Sequence, residues 1–104
     1  MLEYRKLDKM INKNKTPKVI ERYFKGVSNH RRIAILLAVQ KQEGLTVDDI
    51  SETLGVNFKT ISEHTRRLVQ AGLLNKEYRG RNVIHSLSPY GKRFYKFIET
   101  FQHS

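Results

Sequence analysis

Apolar side chains recur at helical spacing along most of the chain, and one stretch breaks the habit. Leu2, Leu7, Met10 and Ile11 form a loose stripe that the Asn and Lys residues at 12–15 interrupt. Residues 1–15 therefore read as a basic arm or a short helix. Thr16 before Pro17 reads as an N-cap followed by Pro at the first helical position, where a missing N–H costs nothing. Val19, Ile20, Tyr23 and Phe24 then share a face, and Gly26 is expected to end the segment. Ser28 or Asn29 is placed to cap the next helix. Its Ile33, Ile35, Leu36, Leu37 and Val39 predict the central buried element, which Gly44 stops. Thr46 opens a third helix, with Asp49 three residues on as in a weaker relative of the capping box. Val47, Ile50 and Leu54 point inward there, and Gly55 closes it. Asn57 caps a fourth helix whose Ile61, Thr65 and Leu68 share the inner face, and Gly72 ends it.

The period then changes from helix to strand. Leu74 to Tyr78 and Val83 to Leu87 are β-prone runs flanking Arg79-Gly80-Arg81-Asn82, a polar turn with a glycine. That is a hairpin signature. Ser88-Pro89 opens a last helix with Tyr90, Phe94, Phe97, Ile98 and Phe101 on its apolar face. The Gly55-Val56-Asn57 break between the third and fourth helices has the length of a helix-turn-helix turn. A hairpin directly after the second helix of that pair makes a wing. The expected fold is mainly α (α+β winged helix): a helical domain with a helix-turn-helix, a two-stranded β-hairpin wing and a C-terminal helix. Residues 16–104 are expected to form one such domain.

Once its inner face is buried, the fourth helix exposes Phe58, Lys59, Thr60, Ser62, Glu63, Arg66, Arg67 and Gln70, and its cap Asn57 joins the candidate DNA-binding set. In a helix-turn-helix the second helix enters the major groove with its N-terminal residues nearest the base edges. Lys suits guanine O6 and N7, Glu suits cytosine N4, hydroxyls suit either, and Phe58 suits a thymine methyl. Arg66 and Arg67 lie further along, where phosphates are the natural partners. The wing adds Lys76, Tyr78, Arg79 and Arg81 for the backbone or a narrow minor groove. A purely structural reading of the same residues is an amphipathic helix and a hairpin kept soluble by charge.

Charge distribution favours the binding reading. The chain has 104 residues, 20 Lys plus Arg against 10 Asp plus Glu, and a formal net charge of +10. Residues 1–32 carry +7, residues 33–55 carry −3 and residues 56–104 carry +6. An acidic middle thus separates two basic segments that a fold can gather on one side, and a polyanion is the expected partner. No Cys is present, which excludes disulfides, Cys-ligated zinc and thiol catalysis. No apolar run approaches the ~20 residues that span a bilayer. With no secretory apolar segment near the start, a cytoplasmic protein is expected.

The stretch Val27 to Leu87 resembles the ArsR-type winged-helix transcriptional regulators. Asn29-His30-Arg31-Arg32-Ile33-Ala34-Ile35-Leu36 resembles the opening of that family's core helix, and Ile50 to Val56 the first helix of its DNA-reading pair. Lys59 to Leu74, with Ser62-Glu63-His64 and Ala71-Gly72-Leu73, resembles its recognition helix and exit. Arg79-Gly80-Arg81 with Val83, Ile84 and Leu87 resembles its wing. The Ala-Gly-Leu exit also occurs in other winged-helix families, such as the MarR type. The resemblance implies a homodimer built from the N- and C-terminal helices. The residues allow this independently. Five aromatics crowd twelve residues of the last helix, and Val19, Ile20, Tyr23 and Phe24 add to the surplus. Tyr90, Phe94, Phe97, Ile98 and Phe101 are the expected partners in the interface.

Departures from the family matter. Thr46-Val47-Asp48-Asp49-Ile50 stands where many members place a Cys-x-Cys metal site. Glu99 and His103, four apart, read as a solvent-exposed pair, and His30, His64 and His85 share no ligand spacing. His64 reads as structural or phosphate-facing. No metal and no cofactor are therefore expected, and an effector is unknown. The leading reading is a homodimeric repressor that reads a pseudo-palindromic operator in double-stranded DNA through helix 57–71 and wing 76–85. Its rivals are an architectural DNA binder and a protein-binding winged helix. No phosphate-cradling Gly loop, nucleophile elbow or metal triad supports an enzyme. Membrane-surface binding by residues 1–25 is a weaker rival, because the segment has few of the bulky anchors such helices use.

Overall fold

The structure, a computed structural model, describes residues 15–103. The expected arm or helix at 1–15 lies outside these, apart from Lys15. The element order is α1 (Pro17–Val27), α2 (His30–Lys41), α3 (Val47–Leu54), α4 (Phe58–Gln70), β1 (Leu74–Arg79), β2 (Asn82–Leu87) and α5 (Pro89–Gln102). This is the winged helix read from the sequence.

Each helix begins where a side chain satisfies its orphan N–H groups. Thr16 accepts from Val19 N, Asn29 from Arg31 N and Arg32 N, Asn57 from Thr60 N and Ser88 from Gly91 N. Thr46 and Asp49 form a complete capping box at α3, with bonds of 3.1 and 3.0 Å. One terminator differs from expectation. Gly26 does not end α1, which continues to Val27. A Cβ there would lie 2.5 Å from the Ala71 Cβ. Its glycine lets α1 press against the exit of α4 instead.

The core gathers around α2, whose Ile35, Leu36 and Val39 are fully buried with Ile50 of α3 and Ile61 and Leu68 of α4. Leu45, Leu73, Leu74 and Leu87 extend it to the root of the hairpin. β1 and β2 pair antiparallel from Leu74↔Leu87 to Arg79↔Asn82, so the strands run one residue further toward the tip than the sequence suggests. Gly80 has φ +60°, and no non-glycine among the described residues has positive φ. This fits a two-residue turn with glycine at its first position. A bridge of Leu45 to His85 adds a third short edge. There the buried His85 places Nδ1 2.9 Å from the Leu45 carbonyl. Ser88 donates to the Gly72 carbonyl at 2.6 Å, tying the start of α5 to the same corner.

Candidate nucleic-acid interface

The helix-turn-helix turn is built by local chemistry. Gly55 takes the left-handed conformation (φ +65°), and Val56 N donates back to the Ser51 carbonyl at 3.2 Å. The Ser51 hydroxyl donates to the Val56 carbonyl and closes the turn. The chain leaves it with Asn57 already extended to cap α4.

On α4, Ile61, Thr65 and Leu68 are buried. That fixes the opposite face, which carries Lys59, Glu63, Arg66 and Gln70 at helical spacing. Asn57, Phe58, Lys59, Arg66 and Arg67 are exposed, while Thr60, Ser62 and Glu63 are half-buried. Phe58 keeps 51% of its surface in solvent at the first turn. No acidic residue occupies that turn, so no side-chain charge there offsets the positive end of the helix dipole.

Glu63 is not idle. It accepts from Arg66 Nη2 at 2.7 and 2.9 Å and from Arg67 Nε at 3.0 Å. These guanidinium groups hold its carboxyl below the usual carboxylate range. The three residues form one charged cluster in the middle of the exposed face. His64 sits on the flank of α4, where its Nδ1 accepts from Arg32 Nε at 3.2 Å. Burial, then Arg32, pushes the imidazole below its ordinary pKa.

The wing residues divide between two faces. Strand alternation puts Lys76 and Tyr78 on one side and Glu77 and Arg79 on the other. Lys76 Nζ lies 5.9 Å from the Tyr78 ring centroid, and Arg79 pairs with Glu77 at 3.5 Å. Arg81 occupies the turn itself. All four are exposed.

The expected interface residues gather at the α1/α5 side. Tyr23 packs on Tyr90 at 4.8 Å between centroids, and Phe97 meets Phe101 edge-on at 4.9 Å. Lys15 Nζ lies over the Tyr90 ring at 4.9 Å. Ile20 is 42% exposed, Phe97 46% and Phe101 66%, while Val19, Tyr23, Tyr90, Phe94 and Ile98 are half-buried. Phe24, part of the apolar surplus expected on α1, joins them. It stands 47% exposed, edge-on to Phe94 at 5.1 Å and to Phe97 at 6.2 Å, and with Arg93 it lines a shallow apolar groove. Among the described residues no helix is long and apolar enough to cross a membrane, and no group of three or more His, Cys, Asp or Glu is placed to hold a metal ion.

A three-residue turn between α3 and α4, an outward-facing second helix and a basic hairpin define a winged helix-turn-helix. Residues 29–76 match the model of the bacterial regulatory proteins of the arsR family, so the resemblance read from the sequence holds over that segment. Solved structures agree in fold. HlyU from Vibrio cholerae matches with a TM-score of 0.74 at 24% identity, over 84% of this chain and 95% of that one. The homodimeric winged helix-turn-helix DNA-binding domain Mb0332 from Mycobacterium bovis, described as a possible ArsR-family regulator, matches at 0.73 and 22%, over 83% and 80%. The transcriptional repressor PagR of Bacillus anthracis matches at 0.71 and 20%, over 78% and 93%.

Proposed function

We propose that the protein is a sequence-specific, homodimeric repressor that binds double-stranded DNA, with α4 in the major groove and the hairpin on the backbone or minor groove. One observation carries this reading. The first turn of α4 presents Phe58 and Lys59 to solvent on a helix whose inner face is fully buried, capped by Asn57 and followed by a basic wing. A protein-binding winged helix has no need of the exposed Arg66, Arg67, Arg79 and Arg81. The described names of Mb0332 (homodimeric, DNA-binding) and PagR (repressor) support the finer reading. In a symmetric dimer two copies of α4 read half-sites about one helical turn (~34 Å) or a multiple apart.

The division of labour is testable by anisotropy titrations on selected and random duplexes over a range of salt. The pair Arg79→Ala and Arg81→Ala weakens binding to every sequence and shallows the salt slope by about 0.9 per lost phosphate contact. Lys59→Ala instead relaxes preference at particular bases, by about 1–3 kcal/mol if a bidentate contact is lost. Equal losses on selected and random DNA for Lys59→Ala contradict base reading by α4.

A further inference from the structure

Arg32 joins three helices through side-chain hydrogen bonds. From α2 its Nη1 reaches the carbonyls of Lys25 and Gly26, both at 3.2 Å, while its Nε donates to His64 Nδ1 on α4 at 3.2 Å. The two carbonyls belong to the last turn of α1, where helical partners run out and a cation is favoured by the helix dipole. A guanidinium directs its donors in a fixed plane, so one group meets both neighbours at once, which a lysine ammonium on a flexible stem does not reproduce. At the same place Gly26 removes the side chain that would hold α1 away from Ala71.

The structure assigns Arg32 a positioning role in DNA recognition: it fastens the end of α1 to the flank of α4 through His64, and so sets where each α4 stands relative to the dimer face. This rests on the reading of α4 as the DNA-reading helix and of α1 as part of the dimer interface. Because α1 carries Ile20 and Phe24 of the exposed apolar side, any slack between α1 and α4 becomes an error in the spacing of two recognition helices. Spacing matters for a two-half-site operator and not for contact with DNA of any sequence.

The link is also proton-sensitive. Nε of Arg32 is a donor, so Nδ1 of His64 must be the acceptor, and the imidazole is neutral with its proton on Nε2. Protonation sets two donors and two cations against each other. The charged groups around His64 are Arg32 and Arg31 from α2 and Glu63 and Arg67 from α4. From α1 the contacts to Arg32 are backbone carbonyls. Glu63 is already engaged by Arg66 and Arg67, so cations dominate, in line with the lowered pKa. The bond is therefore intact above the ordinary histidine range and is lost as pH falls through the depressed value.

The test compares wild type, Arg32→Lys and His64→Asn, whose Oδ1 stands where Nδ1 does and does not titrate. Affinity for a duplex selected from a random pool, and for a random duplex, is measured by anisotropy at about pH 7.5 and about pH 5, the lower point well beneath the ordinary histidine value because the His64 value is depressed. Wild type is expected to lose about tenfold in affinity for the selected duplex at the lower pH, the scale of one charge-assisted hydrogen bond. Its random-duplex affinity does not fall, because protonation adds positive charge. His64→Asn holds its affinity at both pH values. Arg32→Lys, with charge kept, is about tenfold weaker on the selected duplex at both. If Arg32→Lys does not fold by circular dichroism, wild type against His64→Asn decides alone. A selected-duplex affinity that is flat or rises in wild type, or a pH response unchanged in His64→Asn, overturns the proposal. Failure of wild type to bind any duplex refutes the DNA reading itself and the positioning role with it, a result separate from either of these.

Discussion

Glu63→Gln separates two roles that one carboxylate can play on the exposed face of α4. The sequence makes Glu63 a candidate reader of cytosine. The structure gives its carboxylate to Arg66 and Arg67 through three hydrogen bonds of 2.7, 2.9 and 3.0 Å. If it acts as a clamp, the amide variant frees two guanidinium groups and removes the one negative charge at the centre of the face. Each arginine that then reaches a phosphate steepens the slope of log affinity against log salt by about 0.9, so the ceiling for the pair is about 1.8. The gain is independent of sequence. Titrations from low to physiological salt, on a selected duplex and on a random one, should show both affinities rising at low salt with their ratio preserved. Since these arginines hold the Glu63 carboxyl below its usual range, the clamp is present at neutral pH and is released only as pH falls through that lowered value. A fall in selected-duplex affinity beside an unchanged salt slope would refute the clamp and restore Glu63 as a base reader.

Three further changes test the scaffold. A Cβ at Gly91 would lie 2.0 Å from the Leu73 carbonyl oxygen. Overpacking against that backbone costs about 3 kcal/mol and exceeds the ~1 kcal/mol that alanine gains in helix propensity, so Gly91→Ala should lower the urea midpoint; an unchanged midpoint would mean the contact of α5 with Leu73 is loose. Thr65 Oγ1 is buried without a hydrogen-bond partner, and Thr65→Val should stabilise the fold by about 1 kcal/mol in the same titration, whereas a loss would reveal a hidden partner. Phe97→Asp places a charge on the exposed apolar side of α5 and should shift sedimentation toward monomer with the circular dichroism spectrum kept. An intact dimer would move the interface elsewhere.

Much of this was legible because it is local. Thr16, Asn29, Thr46, Asn57 and Ser88 each cap the helix that follows, and a cap depends on residues within one turn. The buried trio Ile61, Thr65 and Leu68 follows from spacing alone. Gly26 misled because its local meaning, a helix end, competes with a distant one, close approach to Ala71. The Arg32–His64 bond spans 32 positions, and no periodicity records it. The Glu63 cluster lies between these cases. Its i, i+3 and i, i+4 partners were visible as spacing, but the same spacing leaves a carboxylate equally free to face a base. Spacing places Phe24 in the apolar surplus of α1 but does not give its neighbours. Its edge-on contacts with Phe94 and Phe97 depend on how α1 lies against α5.

Selection from a random duplex pool tests the central claim most directly, that two copies of α4 read DNA sequence. The account predicts a two-fold-symmetric consensus whose half-sites lie about one helical turn (~34 Å) or a multiple apart, with preference at individual positions lost in Lys59→Ala. Duplexes retained without any consensus, and bound no more tightly than random DNA, would contradict it and leave the winged helix an architectural binder.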